Sequence, residues 1–253
     1  MSLGYQSMCV VTDKGEAYMW GLENKKSKFR SITIVEPEKQ DATNAITKIE
    51  LNSVVMASCA NDYTVFVNDK GKVFSMGDLK VKGVDNIQAK TKNNIIELPL
   101  EHITKVSSGI NFTMALDDEG RVYVWGSNTY GQLGNGALKN SQEPILVESL
   151  LREKIIDIST GDNYSGVVTD KGEVYTWGFG NEGQLGHGDK SDQFLPRKVA
   201  NLKEKIKTIS CGGAHTALLT ESGKLLMVGR GREGQLGREQ LDESSGGYTL
   251  MAK

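Results

Sequence analysis

The side chains that most often carry out catalysis are few in this sequence and stand far apart. The three histidines, His102, His187 and His215, form no cluster with cysteine or aspartate at the spacing of a metal site. No nucleophile elbow, Walker loop or paired-carboxylate motif occurs. The sequence therefore indicates no hydrolytic or redox chemistry, no metal and no cofactor.

One glycine-rich stretch deserves comparison with a dinucleotide-binding turn, because Gly178, Gly180 and Gly183 have a similar spacing. No helical pattern follows it, whereas a dinucleotide-binding turn opens a helix. The stretch belongs instead to a ten-residue motif that ends in Gly-Gln-Leu-Gly. The motif occurs at residues 125–134, 177–186 and 228–237, at steps of 52 and 51 residues. A near-constant period of this length is typical of a repeat architecture.

A second glycine pattern reveals two weaker copies of the repeat. In each copy a turn glycine is followed six residues later by another glycine. The pairs are Gly15 and Gly21, Gly71 and Gly77, Gly120 and Gly126, Gly172 and Gly178, and Gly223 and Gly229. Each turn lies between two runs of β-branched and aromatic residues, which predicts a β-hairpin. The chain therefore contains five units.

Two further strands complete each unit. A short apolar strand precedes the hairpin, and we expect it at 46–49, 103–107, 155–159 and 206–210. A strand that contains proline follows the hairpin at 143–147 and 195–199, and proline restricts it to the edge of a sheet. Four strands per unit of about 51 residues predict a propeller blade.

The predicted fold is an all-β propeller that forms a single domain over residues 1–253. Its five four-stranded repeats cover approximately 1–45, 46–102, 103–154, 155–205 and 206–253. Either these five blades close a ring, or they are part of a longer ring. A closed ring predicts a monomer, whereas an open one exposes an apolar sheet face that favours dimerisation or aggregation.

Aligning the five units places equivalent residues in columns, and two of these columns give a structural reason for residues that could otherwise suggest catalysis or light sensing. His215 shares its column with Ser7, Tyr63, Phe112 and Tyr164, which predicts a buried, structural histidine. The tryptophans Trp20, Trp125 and Trp177 share another column, which predicts a core stripe between blades. His187 lies in a turn, where we expect it to be exposed.

Composition narrows the possible partners and compartments. The net charge of −2 and the isoelectric point near 6.0 argue against binding to nucleic acid or nucleosomes. No apolar run of membrane-spanning length or secretory leader is visible, so no membrane association is expected. Cys9, Cys59 and Cys211 are interpreted as reduced apolar residues. We expect a cytoplasmic or nuclear protein, or one in the host-cell cytosol if it is a secreted effector.

The repeat resembles that of the regulator of chromosome condensation family. Residues 206–237 carry the whole pattern, residues 103–136 and 155–188 carry it well, and residues 1–21 and 46–77 carry its hairpin half. The resemblance implies a propeller that is typically seven-bladed. It also implies either guanine-nucleotide exchange on the small GTPase Ran, as in the founding member, or a role as a binding platform, as in many others.

The resemblance therefore leaves two functions open: a Ran-like GTPase regulator, and a scaffold without a GTPase role. Nucleotide exchange requires only differential binding of the GTPase, so the lack of catalytic groups is neutral evidence. A single blade-rim surface would serve either function, since the motif loops vary on a fixed frame. The candidate partner-binding residues are Asn128, Tyr130, Phe179, Glu182, Arg230, Arg232 and Glu233.

Two lysine-rich segments, 22–45 and 78–102, replace the motif in the first two units. Surface loops tolerate such change, so one interpretation is that the motif has decayed there. The other is a partner-binding insertion. In the family, exchange depends on a hairpin that protrudes from one blade, and 78–102 is the candidate for it here.

Overall fold

A computed structural model of the chain describes residues 1–3, 7–21, 47–49, 51–77, 95–237 and 248–249. Most of segments 22–45 and 78–102 therefore lies outside the described residues. The described chain is built from strands, with a single 3-10 turn at Glu148–Leu150. No helix in these ranges is long and apolar enough to cross a membrane.

Twenty strands form five antiparallel sheets of four strands each, in chain order. The first sheet contains β1 Ser2–Leu3, β2 Ser7–Val11, β3 Ala17–Gly21 and β4 Thr47–Ile49. The second contains β5 Val54–Cys59, β6 Tyr63–Asn68, β7 Val73–Gly77 and β8 Ile95–Glu97. The third contains β9 Ile103–Ser108, β10 Phe112–Asp117, β11 Val122–Gly126 and β12 Ser141–Leu146. The fourth contains β13 Ile155–Thr160, β14 Tyr164–Thr169, β15 Val174–Gly178 and β16 Gln193–Lys198. The fifth contains β17 Ile206–Cys211, β18 His215–Thr220, β19 Leu225–Arg230 and β20 Tyr248–Thr249.

These sheets confirm the predicted propeller blades. Each sheet is a meander in which sequential strands pair, with the first strand at one edge and the fourth at the other. The proline-containing strands β12 and β16 lie at sheet edges, as the missing proline N–H requires. The polar turns between the second and third strands are held by their own side chains. Asp117 accepts hydrogen bonds from the backbone N–H groups of Glu119 and Arg121 at 3.1 and 2.8 Å.

The first strand of the second sheet differs from its prediction. Thr47–Ile49 was expected to open the second unit, but it pairs with β3 as the fourth strand of the first sheet. The true first strand is β5, Val54–Cys59, which pairs with β6. Both segments are short and lie close together before the same hairpin, so strand pairing is what assigns each to its sheet. The first sheet therefore extends to Ile49.

Neighbouring sheets are joined by a serine that repeats on the first strand of each of the first four sheets. Its Oγ accepts a hydrogen bond from a backbone N–H on the first strand of the next sheet, at 2.9–3.0 Å. The four pairs are Ser2 with Cys59, Ser58 with Ser108, Ser107 with Thr160, and Ser159 with Cys211. The same hydrogen bond therefore recurs at each of the four junctions between successive sheets.

Apolar layers fill the space between successive sheets. Phe112, Met114 and Trp177 belong to the cluster between the third and fourth sheets, and all three are fully buried. The buried tyrosines of the second strands reach across the same gaps. The hydroxyl of Tyr63 lies 2.8 Å from Thr113 Oγ1, and the hydroxyl of Tyr164 donates to the carbonyl oxygen of His215 at 2.6 Å.

The first and last sheets do not pack together within the described ranges, so the five sheets form an open arc there. Because the arc has two uncovered ends, residues at the same repeat position differ in burial between the inner and the end sheets. Trp125 and Trp177 are buried, whereas Trp20 on the first sheet is half-buried. His215 on the fifth sheet is also half-buried, although Phe112 and Tyr164 in its column are fully buried. Each column is buried only where a neighbouring sheet covers it.

Asp157 joins three sheets through a single buried carboxylate. One oxygen pairs with Lys105 Nζ of the third sheet. The other accepts from Thr208 Oγ1 and from the Ile209 backbone N–H at 3.0 Å, both on the fifth sheet. The residue itself is on the fourth sheet, so the carboxylate ties this sheet to both neighbours.

Replacing Asp157 by alanine should therefore lower the free energy of unfolding by about 2–3 kcal/mol, because buried donors lose a charged acceptor. Urea denaturation followed by circular dichroism measures this loss. Asp157→Asn serves as the graded control, since its amide oxygen can still accept from Ile209 while the charge is gone. A loss below about 0.5 kcal/mol for Asp157→Ala would contradict the proposed tie.

Candidate protein-binding surface

One rim of the arc collects the loops that follow the third strands and those that join the first and second strands. In the third, fourth and fifth sheets, backbone hydrogen bonds fasten the two kinds of loop together. Phe179 N–H donates to the Asn163 carbonyl oxygen at 3.0 Å, and Arg230 N–H donates to that of Ala214 at 2.9 Å. We call this surface the motif rim. It comprises residues 109–111, 127–140, 161–163, 179–192, 212–214 and 230–237.

The Gly-Gln-Leu-Gly motif makes the rim rigid because its glutamine and leucine point inward. Gln132 and Gln184 are completely buried, and Leu133 and Leu185 join the core. The Gln132 carbonyl oxygen accepts from Trp177 Nε1 and from Ser165 Oγ, both at 2.9 Å. The motif of one sheet therefore anchors the tryptophan of the next, and the loop between its glycines is held in place.

Asn128, predicted as a partner-binding residue, is instead buried and structural. Its Oδ1 accepts from the Leu133 N–H at 2.9 Å, and its Nδ2 donates to the carbonyl oxygens of Ala137 and Lys139 at 2.7 and 3.2 Å. A side chain fully occupied in this way holds its loop together and presents nothing to a partner. Local loop geometry, which the sequence does not show, decides this role.

Tyr130 and Phe179, also predicted, meet across the gap between the third and fourth sheets. Their rings make an edge-to-face contact with centroids 4.9 Å apart and an interplanar angle of 61°. Phe194 of strand β16 lies against the same loop, since a Cβ built on Gly131 would be 2.5 Å from its Cδ1 atom. Tyr130, Phe194 and Leu195 are 37%, 44% and 52% exposed. We call Tyr130, Phe179, Phe194 and Leu195 the aromatic patch.

Three carboxylates surround the aromatic patch. Glu182 follows Phe179 within the motif loop, and Asp192 Oδ1 accepts from the Gly180 N–H at 2.8 Å. Asp162 belongs to the loop whose Asn163 carbonyl binds Phe179. Burial raises the pKa of the Asp162 carboxyl, and the nearby His215 opposes that shift. None of the three carboxylates forms a salt bridge with a basic side chain in the part of the chain that the structure describes.

The remaining predicted residues lie on the fifth sheet. Arg230 and Glu233 form an ion pair, and Gln235 Nε2 donates to the second carboxylate oxygen of Glu233 at 2.7 Å. Hydrogen bonds from Gln235 and Arg230 lower the pKa of Glu233. Arg232 is exposed nearby. The structure thus groups the predicted residues into an aromatic pair with Glu182 and a separate charged pair on the next sheet.

Sequence reasoning missed Phe194, Leu195 and Asp162 as members of this surface. Phe194 and Leu195 precede a proline on a predicted edge strand, and two adjacent apolar residues at such an edge were an available signal. Asp162 gave no comparable signal, because only the packing of the loops brings it next to Phe179. Among the described residues, no group of three histidine, cysteine or acidic side chains could hold a metal ion.

His187 was expected to be exposed, but it is half-buried beside the fourth sheet. Its Nε2 lies 3.0 Å from Thr176 Oγ1, and Asp189 in the same turn pairs with Arg197 at 3.2 Å. Burial lowers the pKa of the His187 imidazole below its ordinary value. The turn folds back onto strand β15, a contact that its sequence does not indicate.

This lowered pKa predicts that acid destabilises the protein through His187. The unfolded chain binds a proton at the ordinary histidine pKa, whereas the folded chain resists it, so stability falls as the pH drops below about 6.5. Denaturation curves at pH 7.5 and 5.5 measure the loss. His187→Gln should show a smaller difference between the two pH values, and an unchanged difference would contradict this assignment.

Comparison with known proteins places this architecture in a known family. The family model described as the RCC1-like domain matches residues 1–249. The human E3 ubiquitin-protein ligase HERC2 is 34% identical over 221 residues, which are 84% of this chain and 4% of that protein. The ultraviolet-B receptor UVR8 of Arabidopsis thaliana is 29% identical over 217 residues, which are 82% of this chain and 48% of that protein. The chain thus spans half or less of these relatives.

Solved structures show the same fold. Human WBSCR16 superposes with a TM-score of 0.79 at 22% identity, over 99% of this chain and 65% of that one. Prp20p from Saccharomyces cerevisiae, described with its binding properties toward Gsp1p and histones, superposes with a TM-score of 0.77 at 20% identity. That match covers 98% of this chain and 60% of Prp20p. The repeat, the five four-stranded sheets and the family match agree, and the chain belongs to the family of proteins with RCC1-like domains.

Proposed function

We propose that this chain is a non-catalytic protein-binding module and that the motif rim of the third and fourth sheets is its contact surface. The aromatic patch carries this proposal. Tyr130, Phe194 and Leu195 expose apolar surface next to one another, on loops that buried glutamines and leucines hold rigid. Aromatic side chains on a preorganised frame lose little entropy on binding and are frequent anchors of protein interfaces.

Affinity capture from cell lysate, quantified by mass spectrometry, tests this role with three versions of the chain. Proteins retained by the native chain should be lost from the double variant Tyr130→Ser/Phe179→Ser. Leu151→Ser is the matched control, because Leu151 is an exposed apolar residue on the opposite rim. Retention of the same proteins by the double variant would contradict the proposed surface.

A second candidate function is regulation of a small GTPase of the Ran type. It is supported by the likeness to Prp20p over 98% of this chain and by the Gsp1p binding described for that protein. Exchange would require the chain to bind the nucleotide-free GTPase more tightly than the GDP-bound form. Such a protein would act in the cytoplasm or nucleus.

Release of a fluorescent GDP analogue from Ran, at micromolar concentrations of this chain, tests the second candidate. Acceleration that is lost in the Tyr130→Ser/Phe179→Ser variant would assign exchange to the motif rim. Acceleration unchanged in that variant would place exchange elsewhere on the propeller. Release at the uncatalysed rate would exclude exchange activity and leave the binding module in place.

A further inference from the structure

We propose that the partner of the motif rim is an extended protein segment in which an apolar side chain stands next to a lysine or arginine. The apolar side chain would pack on the aromatic patch, and the basic side chain would reach Glu182 and its acidic neighbours. This inference rests on the proposed binding function and adds the chemistry of the partner.

The apolar half of the site is a continuous surface formed by two sheets. Tyr130 and Phe179 contact each other from neighbouring sheets, and Phe194 lies against the glycine that follows Tyr130. Leu195 extends the surface toward Gly136, where a built Cβ would be 3.6 Å from its Cδ2 atom. Tyr130, Phe194 and Leu195 each keep part of this surface exposed to a partner.

The preference for a basic side chain in the partner follows from a comparison of two copies of the motif within this chain. On the fifth sheet, the carboxylate of Glu233 is satisfied on both oxygens, by the Arg230 guanidinium and by the Gln235 amide. On the fourth sheet, Glu182 and Gln184 occupy the same motif positions as Glu233 and Gln235. Phe179, however, occupies the position of Arg230. This copy therefore has the carboxylate but lacks the cation that accompanies it on the next sheet.

The hydrogen bonding of Glu182 and Gln184 on the fourth sheet reflects the missing cation. Glu182 Oε2 is buried and has no hydrogen-bond partner among the described residues, and Gln184 Nε2 does not donate to it as Gln235 Nε2 donates to Glu233 on the fifth sheet. The Gln184 Oε1 accepts from the Glu182 N–H at 2.9 Å, which keeps the two side chains adjacent. A buried carboxylate oxygen is stabilised by a charged donor. A lysine or arginine from a partner would supply the group that Arg230 supplies on the fifth sheet.

The charge around the patch favours the same partner. Asp162 and Asp192 flank Phe179 and, like Glu182, form no salt bridge with a described basic side chain. The nearby Asp189 is already paired with Arg197 at 3.2 Å. The site therefore presents three carboxylates that no described basic side chain neutralises, and an acidic segment would be repelled by them.

A phage-displayed library of random twelve-residue peptides tests this inference directly. Selection on the native chain should enrich peptides that place Lys or Arg within two positions of Phe, Leu, Ile or Met. The Tyr130→Ser/Phe179→Ser variant should enrich none of them, whereas Leu151→Ser should enrich the same peptides as the native chain. Thermal unfolding of each variant verifies that it is folded.

A charge variant separates the two halves of the site. Glu182→Gln combined with Asp162→Asn and Asp192→Asn keeps the shapes of the side chains and removes their charge. Selection on it should still enrich apolar residues but no longer Lys or Arg. The most enriched peptide, labelled with fluorescein, should bind the native chain about tenfold more tightly than its version with Gln in place of the basic residues.

Three outcomes would overturn the proposed partner chemistry. The native chain could enrich acidic peptides, it could enrich apolar peptides without basic residues, or it could enrich no peptide that the double variant does not also enrich. The capture experiment above keeps this failure distinct from failure of the binding function. Proteins that depend on Tyr130 and Phe179 for capture would uphold the rim as a binding surface even if the peptide selection contradicted a basic, apolar partner segment.

Discussion

Replacing Trp177 by alanine is expected to lower the free energy of unfolding by about 3–5 kcal/mol. Trp177 is fully buried in the layer between the third and fourth sheets, where its removal leaves a cavity. The substitution also deprives the buried Gln132 carbonyl of the indole Nε1 that donates to it at 2.9 Å. Urea denaturation followed by far-ultraviolet circular dichroism measures the loss.

Trp20→Ala is the matched control, because Trp20 occupies the same repeat column but is only half-buried on the first sheet. It should cost clearly less than Trp177→Ala, in proportion to the smaller apolar area removed from water. If Trp177→Ala does not fold, Trp177→Phe retains most of the packing and removes the hydrogen bond. Equal losses at Trp20 and Trp177 would contradict the view that the neighbouring sheet determines the energy of this column.

The second large effect is expected at Gly178, the residue before Phe179. Its φ of +98° is unfavourable for any side chain, and a Cβ there would lie 2.7 Å from the Asn163 carbonyl oxygen and the Tyr164 Cα atom. Both contacts are with backbone, which cannot move aside as a flexible side chain does. Gly178→Ala should therefore cost about 3 kcal/mol or more, from the strained φ and the overpacking together.

Gly223→Ala separates these two causes. Gly223 has a φ of +86°, but nothing lies within 4 Å of a Cβ built on it. This substitution should cost only about 1–2 kcal/mol, the price of the backbone conformation alone. Chemical denaturation of both variants measures the difference. A similar loss of unfolding free energy at the two positions would show that the short distance between the added Cβ and the backbone at Gly178 does not destabilise the protein.

Gly178→Ala should also affect binding, because Gly178 positions the aromatic patch. The next residue, Phe179, is held by the hydrogen bond from its N–H to the Asn163 carbonyl, the atom that the added methyl group would displace. Gly223 lies in the hairpin turn of the fifth sheet, away from the motif rim. Partner capture should therefore weaken for Gly178→Ala and remain unchanged for Gly223→Ala.

The repeat, the hairpins and the four-stranded blade could be predicted from the sequence. Turn glycines at constant separation and the alternation of apolar runs identified the hairpins, because hairpin formation depends on local backbone conformation and turn chemistry. The proline-containing strands were placed at sheet edges for an equally local reason, the missing N–H. The repeat also predicted Tyr130 and Phe179 as partner-binding residues, because they vary between units while the glycines around them do not.

Features that depend on contacts between distant residues could not be predicted from the sequence. Thr47–Ile49 and Val54–Cys59 both precede the hairpin of the second unit, and pairing with β3 or β6 assigns them to different sheets. Asn128 and Tyr130 are two residues apart, yet loop closure buries one and exposes the other. Packing between sheets also determines that Trp177 is covered and Trp20 half-covered, and that Asp162, Phe179 and Phe194 form one surface. These outcomes are set by the relative placement of whole sheets, which local propensity does not contain.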